Sequence, residues 1–408
     1  MPASRNSWIS RQSQTVRCSS RAASDVIGVL CTSYPRGPDD PAGAFVRTRV
    51  RALAAAGQSV EVIAAGPGGE SSEGRVRVFR VPAAGAAEIF YAGGAPEALE
   101  SGAPGWRARA WLEAAHFTAR MAELVVQRAG GWSAVESHWL LPSALVACAV
   151  APHLQHRAHA HGGDVFLLAR IPGGASLARL FCRRGTELVF ASADLRERFA
   201  RLCGEAPEAI GARTSVQPAP YDSLLFRPRP AGERPCLRDR LGLTRFTVLA
   251  AGRLVPIKGF DVLVRAVGHL PAVLRPTLVI AGTGPEEPRL RRLAAACAVD
   301  LRLAGQLSPA TLADWMTAAD LFVHPCRSLP NGRSEGAPVV VREALAAGMA
   351  VVATAAGGLP ELGGHPRLTL VAPENPSALA AQIGLAMTGR YSDASCTQTA
   401  TTSIAWRT

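Results

Sequence analysis

The strongest constraint on the fold is a regular alternation of short apolar segments with segments of helical spacing, which occurs twice along the 408 residues. Strands that alternate with helices in this way are typical of βαβ units, and successive βαβ units build a parallel sheet with helices on both faces. The sequence therefore predicts an α/β protein with two doubly wound, Rossmann-like domains.

In the first half, the apolar segments are short and the helical segments are amphipathic. The predicted strands are 25–32, 60–65, 133–137, 187–192 and 214–218, and the clearest predicted helices are 44–57 and 191–204. The segment "AFVRTRVRALAAAG" ends at Gly57, and glycine commonly follows the last turn of a helix.

The second half repeats the pattern more strictly. Its predicted strands are 246–252, 277–282, 300–305, 321–325 and 349–354, and its predicted helices are 259–269, 286–298, 309–320 and 337–348. Ligands of such sheets bind at the carboxyl ends of the strands, where helix N-termini offer free amides to anions. We therefore expect the functional residues just after the strands.

A segment rich in Pro and Gly, "FRPRPAGERPC" (226–236), separates the halves and has no periodicity, as expected of a linker. The predicted domains are residues 25–225 and 237–390. Residues 1–24 have no acidic residue and no apolar core, so we expect a disordered leader and not a secretory signal. Residues 391–408 are polar and aperiodic, and form an atypical tail.

The net charge of +12 indicates an anionic partner, which could be nucleic acid, an anionic membrane surface or a phosphorylated small molecule. The arginines are dispersed and not interleaved with aromatic residues, which disfavours nucleic acid. The nine cysteines include no CxxC pair, as expected of free thiols in a reducing cytoplasm. Every apolar run falls well short of the roughly 18 residues that a membrane span needs.

One position stands out chemically, because Lys258 is the only lysine among 44 basic residues. An ammonium group is a compact point charge with three donors, whereas guanidinium is a broad planar fork, so a crowded phosphate can require lysine. Taken alone, the lone lysine is equally compatible with chance. Gly252, Arg253 and Lys258 all follow a predicted strand, where an anion is expected.

Several motifs resemble one known family. They are "GRLVPIKGFDVLVRAV" (252–267), "SEGAPVVVREALAAGMAVVATAAGGLPEL" (334–362), "YPRGPDDPAGAFV" (34–46), "ESHWLLPSALVA" (136–147) and "HAHGGDVF" (159–166). Together they resemble the retaining, group 1 (family 4) glycosyltransferases of the GT-B fold, over residues 25–390. Within this family, the residues of these motifs are most similar to those of bacterial exopolysaccharide and colanic-acid-type enzymes.

The resemblance implies two Rossmann-like domains that face each other across a cleft. The expected activity is transfer of a sugar from a nucleotide-sugar donor, with UDP or GDP, to a glycan or lipid-linked acceptor in cell-surface polysaccharide synthesis. The chain has no DxD motif, so no metal is implied, and no cofactor beyond the donor is expected.

The donor-binding residues implied by the resemblance are Gly43, Arg253, Lys258, Gly336 and Glu343. Arg253 and Lys258 would stabilise the leaving diphosphate, which needs cations and amides aimed at its developing charge. Glu343 would accept hydrogen bonds from the ribose, although an exposed helix carboxylate paired with an arginine is the plain alternative. Gly43 would allow close approach of the opening loop to the phosphates.

The implied catalytic residues are His161, Asp164 and Glu335, where Glu335 would hold the donor sugar. His138 and Trp139 are the acceptor-side candidates. A histidine or tryptophan at a strand end is also common in ordinary packing, so that alternative stays open for both sets.

Two other functions share much of this pattern. A nucleotide-sugar epimerase would use the same fold without an acceptor, and a catalytically weak donor-binding protein would bind without turnover. A predicted helix at 106–128 could also place the protein on an anionic membrane or pack on the first sheet; its basic and aromatic residues are Arg107, Arg109, Arg120, Arg128, Trp106, Trp111 and Phe117.

Overall fold

The computed structural model describes residues 26–83, 91, 104–205, 210 and 213–389. The predicted leader (1–24) and tail (391–408) lie outside the described residues. Within them the chain forms two sheets in sequence, each covered by helices on both faces. The predicted α/β class and its two doubly wound units are therefore confirmed.

Among the residues that the structure describes, the first unit contains eight strands and six α-helices. In chain order they are β1 (Val26–Cys31), α1 (Ala44–Ala55), β2 (Ser59–Gly66), β3 (Gly69–Glu73), β4 (Val76–Pro82), α2 (Pro104–Arg128), β5 (Ala134–His138), α3 (Leu145–Val150), β6 (Gln155–Ala160), α4 (Gly163–Leu168), α5 (Gly174–Arg183), β7 (Glu187–Phe190), α6 (Ala193–Cys203) and β8 (Thr214–Val216). The strand order is β3-β4-β2-β1-β5-β6-β7-β8, and only β3 is antiparallel to its neighbour.

The second unit contains six strands, all parallel, in the order β11-β10-β9-β12-β13-β14. Its elements are α7 (Glu233–Arg240), β9 (Thr247–Ala251), α8 (Phe260–His269), β10 (Thr277–Ala281), α9 (Glu287–Ala296), β11 (Leu301–Gly305), α10 (Pro309–Ala318), β12 (Leu321–His324), α11 (Val339–Ala346), β13 (Val351–Thr354), β14 (Leu368–Val371) and α12 (Pro376–Met387). The four strands β9, β10, β12 and β13 are buried throughout, because helices cover both faces of a parallel sheet.

The predicted linker is partly helical. Helix α7 begins at Glu233, inside the segment 226–236, and Phe226 is buried against the core of the second unit. Arg238 and Arg234 of this helix bind the Asp320 carboxylate, which anchors α7 on the second sheet. The loop that crosses between the sheets therefore ends earlier than the sequence predicts.

Helix α2 packs on the first sheet through one face. Phe117, Met121 and Val125 on this face are fully buried in the core of the first unit. None of the helices described is both long and apolar enough to cross a membrane.

Candidate active site

The candidate residues of the two units meet across the cleft, at the loop after β6 and the loop before α11. A Cβ atom placed on Gly336 would lie 2.8 Å from the carbonyl oxygen of His161 and 2.7 Å from Cδ1 of Leu195. Because such distances are shorter than any ordinary contact, only glycine permits this approach. The structure thus brings His161 and Gly336, which are far apart in sequence, to one place.

On the second-unit side, the lone lysine pairs with the first glutamate of the motif. Nζ of Lys258 lies 2.9 Å from Oε2 of Glu335, and their side chains are only 14% and 16% exposed. Burial alone would raise the pKa of Glu335, but Lys258, with His324 and Arg253, lowers it overall. Glu335 is therefore an ionised carboxylate held beside cations.

A residue that the sequence analysis missed lies against this pair. His324, at the end of β12, is fully buried, and within the described part of the chain neither ring nitrogen has a hydrogen-bond partner. Burial and the nearby Lys258 charge lower the pKa of His324 to about 3, so its ring is neutral. The sequence contained a signal for this residue, since the predicted strand "LFVHP" (321–325) has a histidine one residue before its end.

Glu343 lies on α11 and lines a separate pocket with Tyr221, Asp222 and, from α1, Arg47 and Arg51. Burial raises the pKa of Glu343 to about 7, with Arg342 opposing and Asp222 adding to the shift. A carboxyl group whose pKa is near 7, in a pocket between the two units, suits a site that binds hydroxyl groups as hydrogen-bond donors.

The predicted helix that carries Glu343 is shorter than expected. It begins at Val339 and not at residue 337, with Pro338 as its first flanking residue. Glu335 and Gly336 consequently lie in the loop that precedes the helix. The loop is what allows Glu335 to turn toward Lys258.

On the first-unit side, the acceptor candidates form an aromatic cluster with Phe45. His138 and His161 stack nearly parallel with ring centroids 5.2 Å apart, and Nδ1 of His138 lies 3.0 Å from Nε2 of His161. Trp139 lies 5.2 Å from the His161 ring. Burial, together with the neighbouring His159, lowers the pKa of His161 to about 3 and lowers that of His138 as well. Both histidines are therefore neutral.

Asp164 is buried and its carboxylate binds backbone amides. Oδ2 accepts a hydrogen bond from the Leu140 amide at 2.9 Å, and Oδ1 accepts from the amides of Gly162 and Val165 at 2.9 and 3.1 Å. These bonds hold the loop that carries His161. The structure gives Asp164 a positioning role, and its predicted contact with a sugar would require these hydrogen bonds to be shared or broken.

Gly43 has a left-handed backbone with φ of 73° and starts helix α1. A Cβ atom there would lie 2.2 Å from the carbonyl oxygen of Ser33. The glycine therefore lets the opening loop pack against the segment after β1, while its predicted approach to donor phosphates stays a prediction.

Residues 245–388 match the family model described as "Glycosyl transferases group 1". The second domain belongs to the group 1 glycosyltransferases. All the donor-binding candidates except Gly43 lie inside this group 1 domain.

Similarity to named proteins extends the comparison beyond the group 1 domain. The chain is 40% identical over 207 residues to a GDP-mannose-dependent alpha-(1-6)-phosphatidylinositol monomannoside mannosyltransferase of Mycobacterium tuberculosis, which covers 48% of this chain and 51% of that protein. It is 30% identical over 253 residues to a putative teichuronic acid biosynthesis glycosyltransferase of Bacillus subtilis, over 61% and 60% of the two chains. The chain thus spans about half the length of the first mannosyltransferases it matches.

The fold is shared over nearly the whole chain. Sucrose-phosphate synthase from Thermosynechococcus elongatus superposes with a TM-score of 0.65 at 21% identity, over 90% of both chains. This likeness concerns the fold alone, which is GT-B, as predicted.

A second residue that the sequence analysis left without a role joins the group 1 domain to the first domain. The carboxylate of Glu361 accepts hydrogen bonds from the amides of Ala193 and Asp194, at 2.8 and 2.9 Å. These amides are at the N-terminus of α6, where a negative charge is stabilising. Sequence motifs indicated the turn that contains Glu361 but not its partner in the other domain.

The close approach at Gly336 gives a testable prediction. We expect Gly336→Ala to lower turnover at least tenfold, because the new methyl group meets the His161 carbonyl and Leu195 and pushes the domains apart. Nucleotide affinity measured by calorimetry should change much less, since the group 1 domain itself is intact. Gly232→Ala is the control, because a Cβ there meets nothing within 4 Å. Unchanged turnover in Gly336→Ala would show that the two domains are further apart at Gly336 during catalysis than in this structure.

Proposed function

We propose that the chain is a retaining glycosyltransferase that transfers a sugar from a nucleotide-sugar donor to a glycan or lipid-linked acceptor in cell-surface polysaccharide synthesis. The observation that carries the proposal is the Lys258–Glu335 pair, which lies in the cleft beside the close contact of Gly336 with the loop of His161. A sugar diphosphate needs a cation at its phosphate end and a hydrogen-bond acceptor at its sugar end. A cation in contact with an ionised carboxylate supplies both.

At the phosphate end, the leaving diphosphate gains negative charge as the glycosidic bond breaks. Lys258 has three ammonium donors, of which one reaches Glu335, so the others can bind phosphate oxygens while the pair persists. Arg253 adds a second positive charge that already acts on Glu335. Electrostatic stabilisation of this developing charge is the catalytic role that we assign to the two cations.

At the sugar end, the anomeric carbon gains positive charge in the transition state. Glu335 is kept ionised by its cationic neighbours, so it can accept hydrogen bonds from sugar hydroxyls as that charge develops. The neutral rings of His138 and His161 and the indole of Trp139 lie together in the first domain and remain the candidates for the acceptor side. Apolar faces with a few polar atoms suit a sugar acceptor.

The donor to test first is GDP-mannose, because the first four relatives are all named as GDP-mannose-dependent mannosyltransferases. UDP-sugars form the second group of donors. For the acceptor, the same relatives suggest a phosphatidylinositol mannoside, and the teichuronic acid relative suggests a growing polysaccharide.

The proposal is tested by incubating the full chain with each donor, alone and with each acceptor. Nuclear magnetic resonance would identify the product and its anomeric configuration. Acceptor-dependent transfer with the donor's configuration supports the proposal, whereas inverted product contradicts the retaining mechanism. Conversion of the donor sugar without acceptor would indicate an epimerase, and nucleotide binding without any conversion would indicate a donor-binding protein.

The raised pKa of Glu343 predicts a pH dependence of donor binding. A ribose diol donates hydrogen bonds to a carboxylate, so binding favours the ionised form, and affinity should rise as the pH increases through about 7. The same linkage predicts proton release on binding near pH 7. Calorimetry with a nucleotide sugar in buffers of different ionisation enthalpy measures that release.

Glu343→Gln is the control for this dependence, because the amide does not titrate. We expect both the rise in affinity and the proton release to disappear in that variant. Equal proton release by Glu343→Gln and by the unchanged protein would assign the titration to another group.

We also propose a peripheral position on the cytoplasmic face of a membrane, with α2 as the contact, but through fewer residues than predicted. Phe117 is buried in the core, and Arg128 binds the Glu61 carboxylate, so neither faces outward. Trp111 and Leu112 are 44% and 73% exposed and lie near Arg109. Arg107 and Trp106 lie in α2, outside the residues whose side chains are described.

This position predicts that the protein sediments with anionic liposomes and that added salt weakens the association. Replacement of Leu112 by Glu should reduce binding severalfold, because it places a negative charge on the exposed face. Ala115→Glu on the same face should act likewise, and Glu70→Gln on β3 should not. Binding that ignores both salt and Leu112→Glu would contradict the proposal.

A further inference from the structure

One histidine of the second sheet is buried in a place where an apolar residue would be expected. His324 ends β12, whose other three residues are apolar and have no exposed surface. Its neighbour in the parallel register is Ala353 of β13. Neither ring nitrogen of His324 has a hydrogen-bond partner among the described residues. A buried polar group is normally paired, so an unpaired imidazole in this strand requires an explanation.

Nothing from outside the protein reaches this ring in the present arrangement. His324 is 0% exposed, so there is no room against either nitrogen for a water molecule or for an atom of a bound donor. The missing partner is therefore a group of the protein itself, which contacts the ring when neighbouring side chains rearrange.

The two charged side chains that act on the ring complement it chemically. They are Lys258 and Glu335. An ammonium group only donates hydrogen bonds and an ionised carboxylate only accepts them, whereas a neutral imidazole has one N–H and one lone pair. Nζ of Lys258 already donates to Oε2 of Glu335. A carboxylate has about four lone-pair positions, so this one bond does not exhaust its capacity to accept.

The backbone of the loop that carries Glu335 is held in place. The Gly358 amide donates a hydrogen bond to the Glu335 carbonyl at 3.1 Å, and a Cβ atom on Gly357 would lie 1.9 Å from the same oxygen. The movement that pairs Glu335 with His324 is consequently a side-chain rotation. Ser334, which is 4% exposed, also has a hydroxyl without a partner among the described residues. Hydrogen bonding around this carboxylate is thus incomplete in the present arrangement.

Binding of a nucleotide sugar supplies a reason for the rearrangement. The diphosphate brings negative charge to Lys258, and this charge offsets the ammonium charge that now keeps Glu335 ionised. A hydrogen bond donated to a carboxylate favours its ionised form. An N–H group that turns to Glu335 at this moment therefore replaces part of the lost stabilisation.

We propose that His324 is a positioning residue for the carboxylate that binds the donor sugar. In the donor complex, the ring N–H of His324 donates to Glu335 and holds that carboxylate ionised and directed at the sugar, while Lys258 binds the diphosphate. His324 acts through Glu335 and does not touch the donor. This inference rests on the proposed glycosyl transfer and adds to it the group that supports Glu335 from within the sheet.

Nuclear magnetic resonance of the full chain, labelled with ¹⁵N-histidine, tests the new hydrogen bond directly. The His324 ring N–H is buried and exchanges slowly, and its resonance is identified by its absence in His324→Leu. Saturation with a nucleotide sugar, beginning with GDP-mannose, should move this resonance downfield, and the shift should be lost in Glu335→Ala. Binding shown by calorimetry without any shift overturns the inference. If none of the nucleotide sugars binds, the proposed function fails, and the inference fails with it.

Turnover and stability of two variants separate positioning from packing. His324→Leu keeps a similar volume without the N–H, so kcat should fall about tenfold or more with little change in donor KM. Its Tm should be equal or higher, because an unpaired polar group is removed. His324→Gln keeps a side-chain N–H and should recover most of the turnover.

His269→Leu, at the exposed end of α8, is the matched control and should leave kcat and Tm unchanged. Unchanged kcat in His324→Leu would overturn the positioning role. Equal losses of kcat and Tm in His324→Leu and His324→Gln would do the same, because they would show that the histidine serves only to pack the sheet.

Discussion

Replacement of Lys258 by Ala is expected to remove most of the turnover, and replacement by Arg is expected to restore little of it. A hydrogen bond to a charged group contributes about 1.5 to 3 kcal/mol, so kcat/KM for the donor should fall by roughly 10- to 150-fold. Arginine keeps the charge, but its planar fork needs space that a lysine side chain 14% exposed does not have.

The loss of Lys258 also leaves the Glu335 carboxylate buried without its partner, which by itself is destabilising. The double variant Lys258→Ala/Glu335→Gln separates the two effects, because it removes the uncompensated charge. It should recover thermal stability relative to Lys258→Ala but not turnover. Arg291→Ala is the control, since Arg291 is an exposed cation of the same domain and pairs with Glu287 on the same helix. Full activity of Lys258→Arg would show that the lone lysine is an accident of composition.

The two motif glutamates should give different binding profiles. Glu343→Gln is expected to weaken free nucleoside diphosphate and intact nucleotide sugar alike, by about 1 to 3 kcal/mol, because both contain the ribose. Glu335→Gln is expected to leave nucleoside diphosphate affinity nearly intact while lowering turnover, because its contact strengthens as the sugar approaches the transition state.

Calorimetry with the bare diphosphate and with the nucleotide sugar decides between these profiles. Glu287→Gln provides a control carboxylate on the surface of the same domain. If both motif variants lose affinity for the bare diphosphate equally, or neither does, the assignment of sugar to Glu335 and ribose to Glu343 is wrong. The glutamates would then be better explained by their local interactions with Lys258 and Arg342.

Strands that are buried on both faces were predicted most directly, whereas β4 (Val76–Pro82) was not predicted although it is largely buried. Strands β9 and β10 are buried on both faces, so their apolar runs identify them directly. Strand β3 (Gly69–Glu73) is exposed at every residue, and its sequence "GESSE" carries no apolar alternation. It pairs with β4 through backbone hydrogen bonds at the edge of the sheet. Such pairing does not require apolar side chains, so it cannot be predicted from their pattern.

The candidate site was predictable only where a motif marks it. Lys258, Glu335 and Gly336 lie in recognisable loops after strands, and the structure brings them together with His161. The contact of Glu136 on β5 with His159 on β6, 3.6 Å between Oε2 and Nε2, is different, because it depends on the register between the two strands. Likewise, the exposed and buried faces of α2 could not be assigned until the helix was placed on the sheet, so Phe117 and Arg128 were included among the residues that could contact a membrane.

The contact of Glu361 with the N-terminus of α6 bears on how the cleft opens. Ala193 and Asp194 have an acceptor from the other domain only while the two domains are together. A helix N-cap contributes about 0.5 to 2 kcal/mol, which corresponds to a bias of roughly 2- to 30-fold toward the closed arrangement before any ligand binds. The free energy that the donor must supply to close the cleft is smaller by that amount. Opening of the cleft to release the nucleotide must break both of these hydrogen bonds, which bind a helix of the domain that carries none of the proposed phosphate-binding cations.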